Sequence, residues 1–260
     1  MPNIDREEFT DVALKLSLAA GEKIMEIYQT DFDVSTKQDA SPVTEADVAA
    51  EAIILKGLHN AFPDLPIVAE EEAAAGKIPD IGNIFVLVDP LDGTREFLNR
   101  NGAFTVNIGL VENGLPVAGV VHAPALSRTF GGSVGKGAFE IGADERKTIA
   151  VRVANPDNVV AVASRSHRDE KTDAYLKSAG VKDTVSIGSS LKFCLLAAAE
   201  ADLYPRFGRT MEWDTAAGHA VLAAAGGSVC NEDGTPFMYG KRNQADDVDF
   251  ANPVFIAKGG

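Results

Sequence analysis

Apolar residues recur at three- and four-residue intervals at the start of the chain, which predicts two long helices. The first helix has its apolar face at positions 9, 12, 13, 16, 20, 24 and 27. The second helix is predicted from Glu45 to Phe62, and Pro63 and Pro66 follow it. Because proline cannot continue a helix, the second helix is expected to end there.

Short apolar and alternating runs between residues 67 and 141 predict strands. Ile67–Ala69 comes before a run of glutamates, and the apolar run Ile84–Val88 ends at Asp89. Alternating positions then predict strands at 104–111, 117–122, 129–130 and 138–141. Asn113-Gly114 is a hairpin turn signal, because both residues tolerate positive φ. We therefore expect a mostly antiparallel sheet beside the two helices.

After about residue 155, short strands alternate with helices. Strands are predicted at 159–163, 184–187 and 202–204, and helices at 169–179, 190–200 and 214–225. This alternation is typical of a small α/β unit. We predict an α+β domain over residues 1–154 and a smaller α/β domain over residues 155–260.

Composition and charge exclude several classes of protein. The 260 residues include 24 Lys and Arg against 38 Asp and Glu, a net charge of −14. A polymeric nucleic acid needs clustered cations, so such a partner is not expected. The sequence has no run of about 18 apolar residues, so no transmembrane helix is predicted. The acidic N-terminus lacks signal-peptide order, and the two cysteines, Cys194 and Cys230, are expected to be reduced thiols.

These features predict a cytoplasmic protein, with peripheral membrane attachment left open as an alternative. No basic amphipathic helix favours that alternative. The sequence does not choose between a monomer and a homodimer.

The segment Asp89-Pro90-Leu91-Asp92-Gly93-Thr94 directly follows the apolar strand 84–88. Two carboxylates around a tight turn can share one divalent ion, and the Leu91 carbonyl is a natural third oxygen. Gly93 permits close approach of the chain to a ligand, and a helix starting at Thr94 would point free N–H groups at an anion. An aspartate-rich turn without a metal is the alternative. The D-x-D-G-T nucleophile motif of haloacid-dehalogenase-type phosphatases has one residue between its aspartates, so that mechanism is disfavoured.

Three further acids are ambiguous when each is taken alone. Glu70 ends a predicted strand, but it also belongs to an exposed-looking acidic run. Asp214 opens an apolar helix and could be its N-terminal cap. Asp47 forms a Thr-x-x-Asp capping box with Thr44. Together with Asp89 and Asp92, they indicate a shared acidic site.

These motifs resemble those of the inositol-monophosphatase superfamily of Mg²⁺-dependent, Li⁺-sensitive phosphatases, over essentially the whole chain. The resemblance rests on Asp89–Thr94, Glu70-Glu71 and Trp213-Asp214-Thr215-Ala216-Ala217-Gly218. Further segments resemble the CysQ-type 3′(2′),5′-bisphosphate nucleotidases within it. They are Ser41–Thr44, Asp92–Phe97 with Arg100-Asn101-Gly102, Ser164–His167, Ser186–Cys194 and Tyr204–Gly208.

The resemblance implies a layered αβαβα sandwich and two or three Mg²⁺ ions. It implies that the N-terminal domain binds the metals and the C-terminal domain binds the substrate. One ion would be held by Glu70, Asp89 and the Leu91 carbonyl, and another by Asp89, Asp92 and Asp214. Asp47 and Thr94 would orient and deprotonate the attacking water, and Li⁺ would inhibit the enzyme.

The resemblance also implies a small-molecule bisphosphate nucleotide as substrate. The N–H groups of Gly93 and Thr94 would hold the scissile phosphate. The rest of the substrate would meet Ser164, His167, Ser189, Ser190, Lys192 and Arg206. For Lys192 and Arg206, exposed surface charge is the alternative interpretation.

The function implied is removal of the 3′-phosphate of 3′-phosphoadenosine 5′-phosphate, giving AMP and phosphate, with the phosphosulfate as a second substrate. That substrate connects the enzyme with sulfur metabolism. An inositol monophosphatase or fructose-1,6-bisphosphatase is one alternative, because the metal core is shared. A catalytically idle regulatory binding protein is another, although idle carboxylates would only repel one another.

Overall fold

The structure is a computed structural model that describes residues 4–30, 34–36, 42–143, 145–164 and 169–260. For residues 34–36 and 42, the backbone alone is described. Ser41 and the segment 165–168, which were singled out above, lie outside the described residues. No helix in the described ranges combines the length and apolarity that a membrane crossing needs.

Within the described ranges, two long helices come first, as predicted, and five shorter α-helices follow. They are α1 (Arg6–Tyr28), α2 (Glu45–Ala61), α3 (Glu70–Ala74), α4 (Thr94–Leu98), α5 (Glu170–Ser178), α6 (Leu191–Ala197) and α7 (Glu212–Ala224). The side chain of Asp5 caps α1 by accepting from the N–H groups of Glu7 and Glu8. Thr44 and Asp47 cap α2 through a capping box. These caps satisfy backbone donors that a helix start leaves free.

The first sheet is seven-stranded, in the order β3-β4-β5-β6-β7-β8-β9. Its strands are β3 (Ile67–Ala69), β4 (Ile84–Asp92), β5 (Thr105–Glu112), β6 (Leu115–Ala123), β7 (Arg128–Ser133), β8 (Gly137–Ile141) and β9 (Arg146–Ile149). Among the described strands of this sheet, only β3 and β4 pair in parallel, so its predicted antiparallel character is confirmed. Asn113 and Gly114 have positive φ at the β5–β6 turn, as the hairpin signal predicts.

A second sheet is five-stranded, in the order β11-β10-β12-β14-β13. Its strands are β10 (Val160–Ser164), β11 (Asp183–Ile187), β12 (Leu203–Arg206), β13 (Ser228–Asn231) and β14 (Phe255–Lys258). A small antiparallel pair, β1 (Val34–Thr36) and β2 (Pro42–Thr44), stands apart from both sheets.

Alternating side chains on the strands separate the layers of the fold. Val86 and Val88 of β4 pack in one core with α1 and α2, whereas Phe85 and Leu87 pack in another with α6 and α7. On the second sheet, Val162 joins the core of α6 and α7, while its neighbour Ala161 packs with α5. Helices, sheet, helices, sheet and helix therefore succeed one another, which confirms the αβαβα sandwich.

Some predicted boundaries are wrong. The helix predicted over 190–200 covers only Leu191–Ala197, and β4 continues past Asp89 to Asp92. The glutamates after β3 form the short helix α3, and β9, β13 and β14 had no clear pattern. The domain boundary near residue 155 stays a prediction, since α7 packs on strands of the first sheet.

Glycines let α7 lie close to the first sheet. A Cβ on Gly109 of β5 would come 2.8 Å from the nitrogen of Ala217, and one on Gly119 of β6 would come 2.7 Å from the Ala217 carbonyl oxygen. Both contacts are with backbone atoms, which cannot rotate away. The distance between α7 and the sheet is therefore set by the absence of side chains at these positions.

We expect Gly119→Ala to lower the free energy of unfolding by about 1–3 kcal/mol, because the added methyl group must push α7 away. Urea denaturation followed by circular dichroism measures this change. Gly82→Ala is the matched control, because its Cβ would meet no atom within 4 Å. Equal stability of the two variants would contradict the close approach.

Candidate functional site

A one-residue bulge shapes the end of β4. Asp89 pairs with Asn107 and Asp92 pairs with Thr105, so β4 has one more residue than β5 between these two pairs. The Asp89 carboxylate accepts from the N–H of Leu91 at 3.0 Å, and Gly93 has φ 95°, which favours glycine. The chain then turns directly into α4. This arrangement brings the side chains of Asp89 and Asp92 to one edge of the sheet.

A cavity of about 260 Å³ lies beside this edge. Residues from both sheets line it. The predicted site residues on its wall are Glu70, Asp89, Leu91, Asp92, Gly93, Thr94, Ser164, Ser189, Ser190, Lys192, Arg206 and Asp214. Asp47 lies behind Thr94 and is not on the wall, and His167 lies outside the described residues.

Several carboxylates line the cavity close to one another. Burial raises the pKa of Asp89 well above its usual value, and repulsion from Glu70, Asp92 and Asp214 raises it further. Glu70 also shares a hydrogen bond with Asp89. Burial raises the pKa of Asp214 too, with repulsion from Asp92 and Glu70 as the next causes. These groups are close enough to oppose one another's ionisation.

The oxygen donors fit a hard divalent cation, which would relieve the repulsion between them. These donors are the carboxylates of Glu70, Asp89, Asp92 and Asp214 and the carbonyl oxygen of Leu91. Within the described ranges, no three Asp, Glu, His or Cys side chains form a preassembled metal-binding group. The assignment of these residues as metal ligands therefore stays a prediction.

Asp92 is tied to α6 and α7 through Ser190. The Asp92 carboxylate accepts from the N–H of Ser190 at 2.6 Å, and the Ser190 hydroxyl donates to the backbone carbonyl of Asp214. Burial raises the pKa of Asp92, while the Lys192 ammonium and hydrogen bonds from Ser190 and Asn107 lower it. Ser190 was expected to contact substrate, but both of its donors are used within the protein. Its position at the start of α6 thus serves to join two acids.

Asp47 combines the two roles that the sequence left open. One carboxylate oxygen accepts from the N–H of Thr44 at 2.8 Å and from its hydroxyl at 2.6 Å, completing the capping box. The other accepts from the Thr94 hydroxyl at 3.4 Å. Thr94 lies on the cavity wall, so its hydroxyl connects the buried Asp47 carboxylate with the cavity. The cap holds that carboxylate in place.

Two buried cations also line the cavity, and Lys192 interacts with Asp92. Lys192 and Arg206 are 4% and 8% exposed, so the interpretation of them as exposed surface charge is wrong. The Lys192 ammonium donates to the Ser189 carbonyl and lies 5.3 Å from the centre of the Tyr204 ring. Burial lowers the pKa of Lys192 to about 8, although Asp92 opposes this. Arg206 donates to the Arg209 carbonyl at 3.2 Å.

Sequence reasoning missed several residues of the site. Asn107 donates to Asp92, and Tyr204 and Glu96 line the cavity. Glu51 accepts from the N–H groups of Glu71 and Glu72 at 2.8 and 3.0 Å, so it fixes the start of α3, where Glu70 lies. A weak signal for Glu51 was its position one helical turn after Asp47. Asn107 had no local signal for its role, because an asparagine within a predicted strand does not by itself indicate which residues its side chain contacts.

Two histidines, His122 and His219, have partners away from the cavity wall. His122 lies 2.8 Å from the Thr129 hydroxyl, and His219 lies 3.1 Å from the Tyr239 hydroxyl. Burial lowers the pKa of His122 to about 4 and that of His219 to about 3. Both are therefore neutral hydrogen-bonded residues of the core.

Comparison with known proteins agrees with this geometry. A model of the inositol monophosphatase family matches residues 5–248. The 3′(2′),5′-bisphosphate nucleotidase CysQ of Escherichia coli strain K12 is 47% identical over 247 residues, covering 94% of this chain and 97% of that protein. The protein of the same name from Haemophilus influenzae is 32% identical over 256 residues, covering 97% and 93%.

A solved structure has the same fold over nearly the whole chain. The crystal structure of CysQ from Bacteroides thetaiotaomicron, a bacterial member of the inositol monophosphatase family, superposes with a TM-score of 0.80. The two proteins are 36% identical, and the match covers 99% of each chain. Sequence and fold lead to one conclusion: the chain belongs to the inositol monophosphatase family.

Proposed function

We propose that this protein is a 3′(2′),5′-bisphosphate nucleotidase that removes the 3′-phosphate of 3′-phosphoadenosine 5′-phosphate, giving AMP and phosphate. One observation carries the proposal: a single cavity is lined by clustered carboxylates and by two buried cations. The acids suit a metal-assisted phosphatase, and the cations suit a substrate with a second anionic group. The similarity to proteins named 3′(2′),5′-bisphosphate nucleotidase supports the same substrate.

The metal ions are proposed to be Mg²⁺, two or three in number. Glu70, Asp89, the Leu91 carbonyl, Asp92 and Asp214 would hold them, since Mg²⁺ prefers oxygen ligands. Bound divalent ions lower the pKa of water and stabilise charge on the leaving oxygen.

Asp47 and Thr94 are proposed to handle the proton of the attacking water. The Thr94 hydroxyl lies 3.4 Å from an Asp47 carboxylate oxygen and 3.4 Å from the Leu91 carbonyl oxygen, and its own oxygen can accept from a water in the cavity. With the hydroxyl turned toward Asp47, a proton passing from that water to Thr94 would release the Thr94 proton to the Asp47 carboxylate. The capping box holds one Asp47 oxygen, and the oxygen nearest Thr94 would act as general base.

The two ends of the substrate are assigned to different residues of the cavity. The N–H groups of Gly93 and Thr94 are proposed to hold the phosphate that is removed. Lys192, Arg206, Ser164 and Ser189 are proposed to hold the 5′-phosphate or phosphosulfate, and His167 is proposed as a further substrate contact on the sequence resemblance alone. Because its donors are already used, we propose Ser190 as a positioning residue and not as a substrate contact.

Other features are proposed on the resemblance alone. They are inhibition by Li⁺, action on the phosphosulfate, a part in sulfur metabolism and a cytoplasmic location. A monomer and a homodimer fit the proposal equally well, because the site described here is built from one chain.

The first prediction concerns the substrate. With Mg²⁺ present, phosphate release from 3′-phosphoadenosine 5′-phosphate is expected to exceed release from inositol 1-phosphate and fructose 1,6-bisphosphate at equal concentration. Asp89→Asn is expected to lower the rate more than about 100-fold, because even residues that only support metal ligands contribute 10- to 100-fold. A colorimetric phosphate assay, repeated with chelator, measures both effects.

The outcomes of this assay separate the alternatives. Preference for inositol or sugar phosphate would keep the acidic site and overturn the assignment of Lys192 and Arg206. No release from any substrate by a folded protein would favour a binding role.

The second prediction concerns Lys192, one of the two buried cations of the cavity. Lys192→Met keeps the apolar stem and removes the charge, so kcat/KM for the bisphosphate nucleotide is expected to fall about 10- to 100-fold, as for loss of a charged hydrogen bond. Release from a substrate with one phosphate is expected to change much less. Lys136→Met is the control, because Lys136 is an exposed lysine paired with Glu7. Equal losses for both kinds of substrate would show that Lys192 does not bind the second anionic group.

A further inference from the structure

Asn107 is a buried amide in a strand that otherwise consists mostly of apolar residues. It lies on β5 directly opposite Asp89, and its side chain is fully buried. Its neighbours Val106 and Ile108 face the core of α1 and α2. Asn107 therefore faces the opposite side of the sheet, toward α6, α7 and the acids of the cavity.

Both contacts of the Asn107 amide go to the acidic site. Its Nδ2 donates to the Ser190 hydroxyl oxygen at 3.1 Å and to the Asp92 carboxylate at 3.4 Å. Ser190 in turn donates its N–H to the same Asp92 oxygen, and its hydroxyl to the Asp214 carbonyl. Asn107, Ser190, Asp92 and Asp214 thus form one network, which we call the Asn107 network.

The hydrogen bonds of the Asn107 network have complementary directions. A carbonyl oxygen only accepts, so the contact between the Ser190 hydroxyl and the Asp214 carbonyl uses the hydroxyl proton. The Ser190 oxygen is then left to accept, and only a donor such as the Asn107 amide can complete it. An ionised Asp92 likewise needs donors. No acidic or apolar side chain at position 107 could supply both bonds.

The other end of the amide indicates that stability alone does not account for this residue. The Asn107 Oδ1 is buried and has no hydrogen-bond partner among the described residues. A buried acceptor without a partner destabilises the fold. An apolar side chain of similar size would remove that cost together with the two hydrogen bonds.

We propose that Asn107 is a positioning residue for the metal site: through Ser190 it holds the Asp92 carboxylate and the start of α7 in the relative position that a shared cation needs. This inference rests on the proposed function, since it assumes that Asp92 and Asp214 bind metal. Residues that orient metal ligands typically contribute 10- to 100-fold to metal affinity.

Isothermal titration with Mn²⁺ or Mg²⁺, without nucleotide, tests the proposal. For Asn107→Leu, the dissociation constant of the metal is expected to rise about 10- to 100-fold. The urea midpoint of the metal-free protein is expected to stay near that of the unsubstituted protein, and saturating metal is expected to restore most of kcat. Thr105→Val is the matched control, because Thr105 is two residues away on β5, is fully buried, and its hydroxyl has no partner among the described residues.

A double-mutant cycle adds Ser190→Ala. If Asn107 acts through Ser190, the two substitutions together are expected to weaken metal binding by less than the product of their separate effects. Unchanged metal affinity in Asn107→Leu, or a weakening equal to that in Thr105→Val, would overturn the inference while the metal site stands. If the unsubstituted protein and Asp89→Asn bind metal equally, the proposed metal site is itself wrong, and the inference with it. Loss of folding in Asn107→Leu would also overturn it, since a structural role would then suffice.

Discussion

Repulsion among the carboxylates of the cavity is the constraint on which the site depends. Glu70, Asp92 and Asp214 raise the pKa of Asp89 by repulsion, and Asp92 and Glu70 raise that of Asp214. Such a cluster exists only where surrounding structure holds the acids together and where a positive charge can compensate them. Hydrogen-bond donors hold them on one side: the N–H of Leu91 for Asp89, that of Ser190 for Asp92 and that of Met211 for Asp214. Under the proposed function, a bound cation would relieve this repulsion.

The layered fold explains why acids so far apart in the chain meet. β3 and β4 are parallel neighbours in which Ala69 pairs with Val88, so the next residues, Glu70 and Asp89, lie side by side. Asp214 comes from α7, whose close packing on Gly109 and Gly119 leaves little freedom in its distance from that edge. The second sheet supplies Ser164 and Arg206 from the ends of β10 and β12. The substrate would therefore bind where the two sheets and the helical layer between them come together.

Much of this arrangement is predictable from local sequence, and the reason is physical. The helix periodicity, the Asn113-Gly114 turn and the Asp89–Thr94 segment each specify their conformation within a few residues. The resemblance of the motifs to a known family then assigned the acids to one site, and twelve of the predicted residues line one cavity. The same signals did not predict the bulge in β4 or the short helix at Glu70, because short elements depend on packing more than on propensity.

Contacts between distant segments account for what could not be predicted. Asn107 and Ser190 are 83 residues apart, and Glu51 meets the backbone of Glu71 across 20 residues. Neither pair has a local pattern, since hydrogen bonds of this kind arise only after the layers pack. Ser190 illustrates the consequence: as a residue before a helix it suggested an anion contact, whereas packing gives its donors to Asp92 and Asp214.

Anomalous diffraction from crystals soaked in Mn²⁺ tests the central claim most directly, because it locates metal ions without relying on activity. The account predicts strong peaks in contact with the carboxylates of Asp89, Asp92 and Asp214, with Asp89 touching more than one ion. Crystals in which Mn²⁺ binds elsewhere, or in which these carboxylates carry no ion at saturating Mn²⁺, would contradict it.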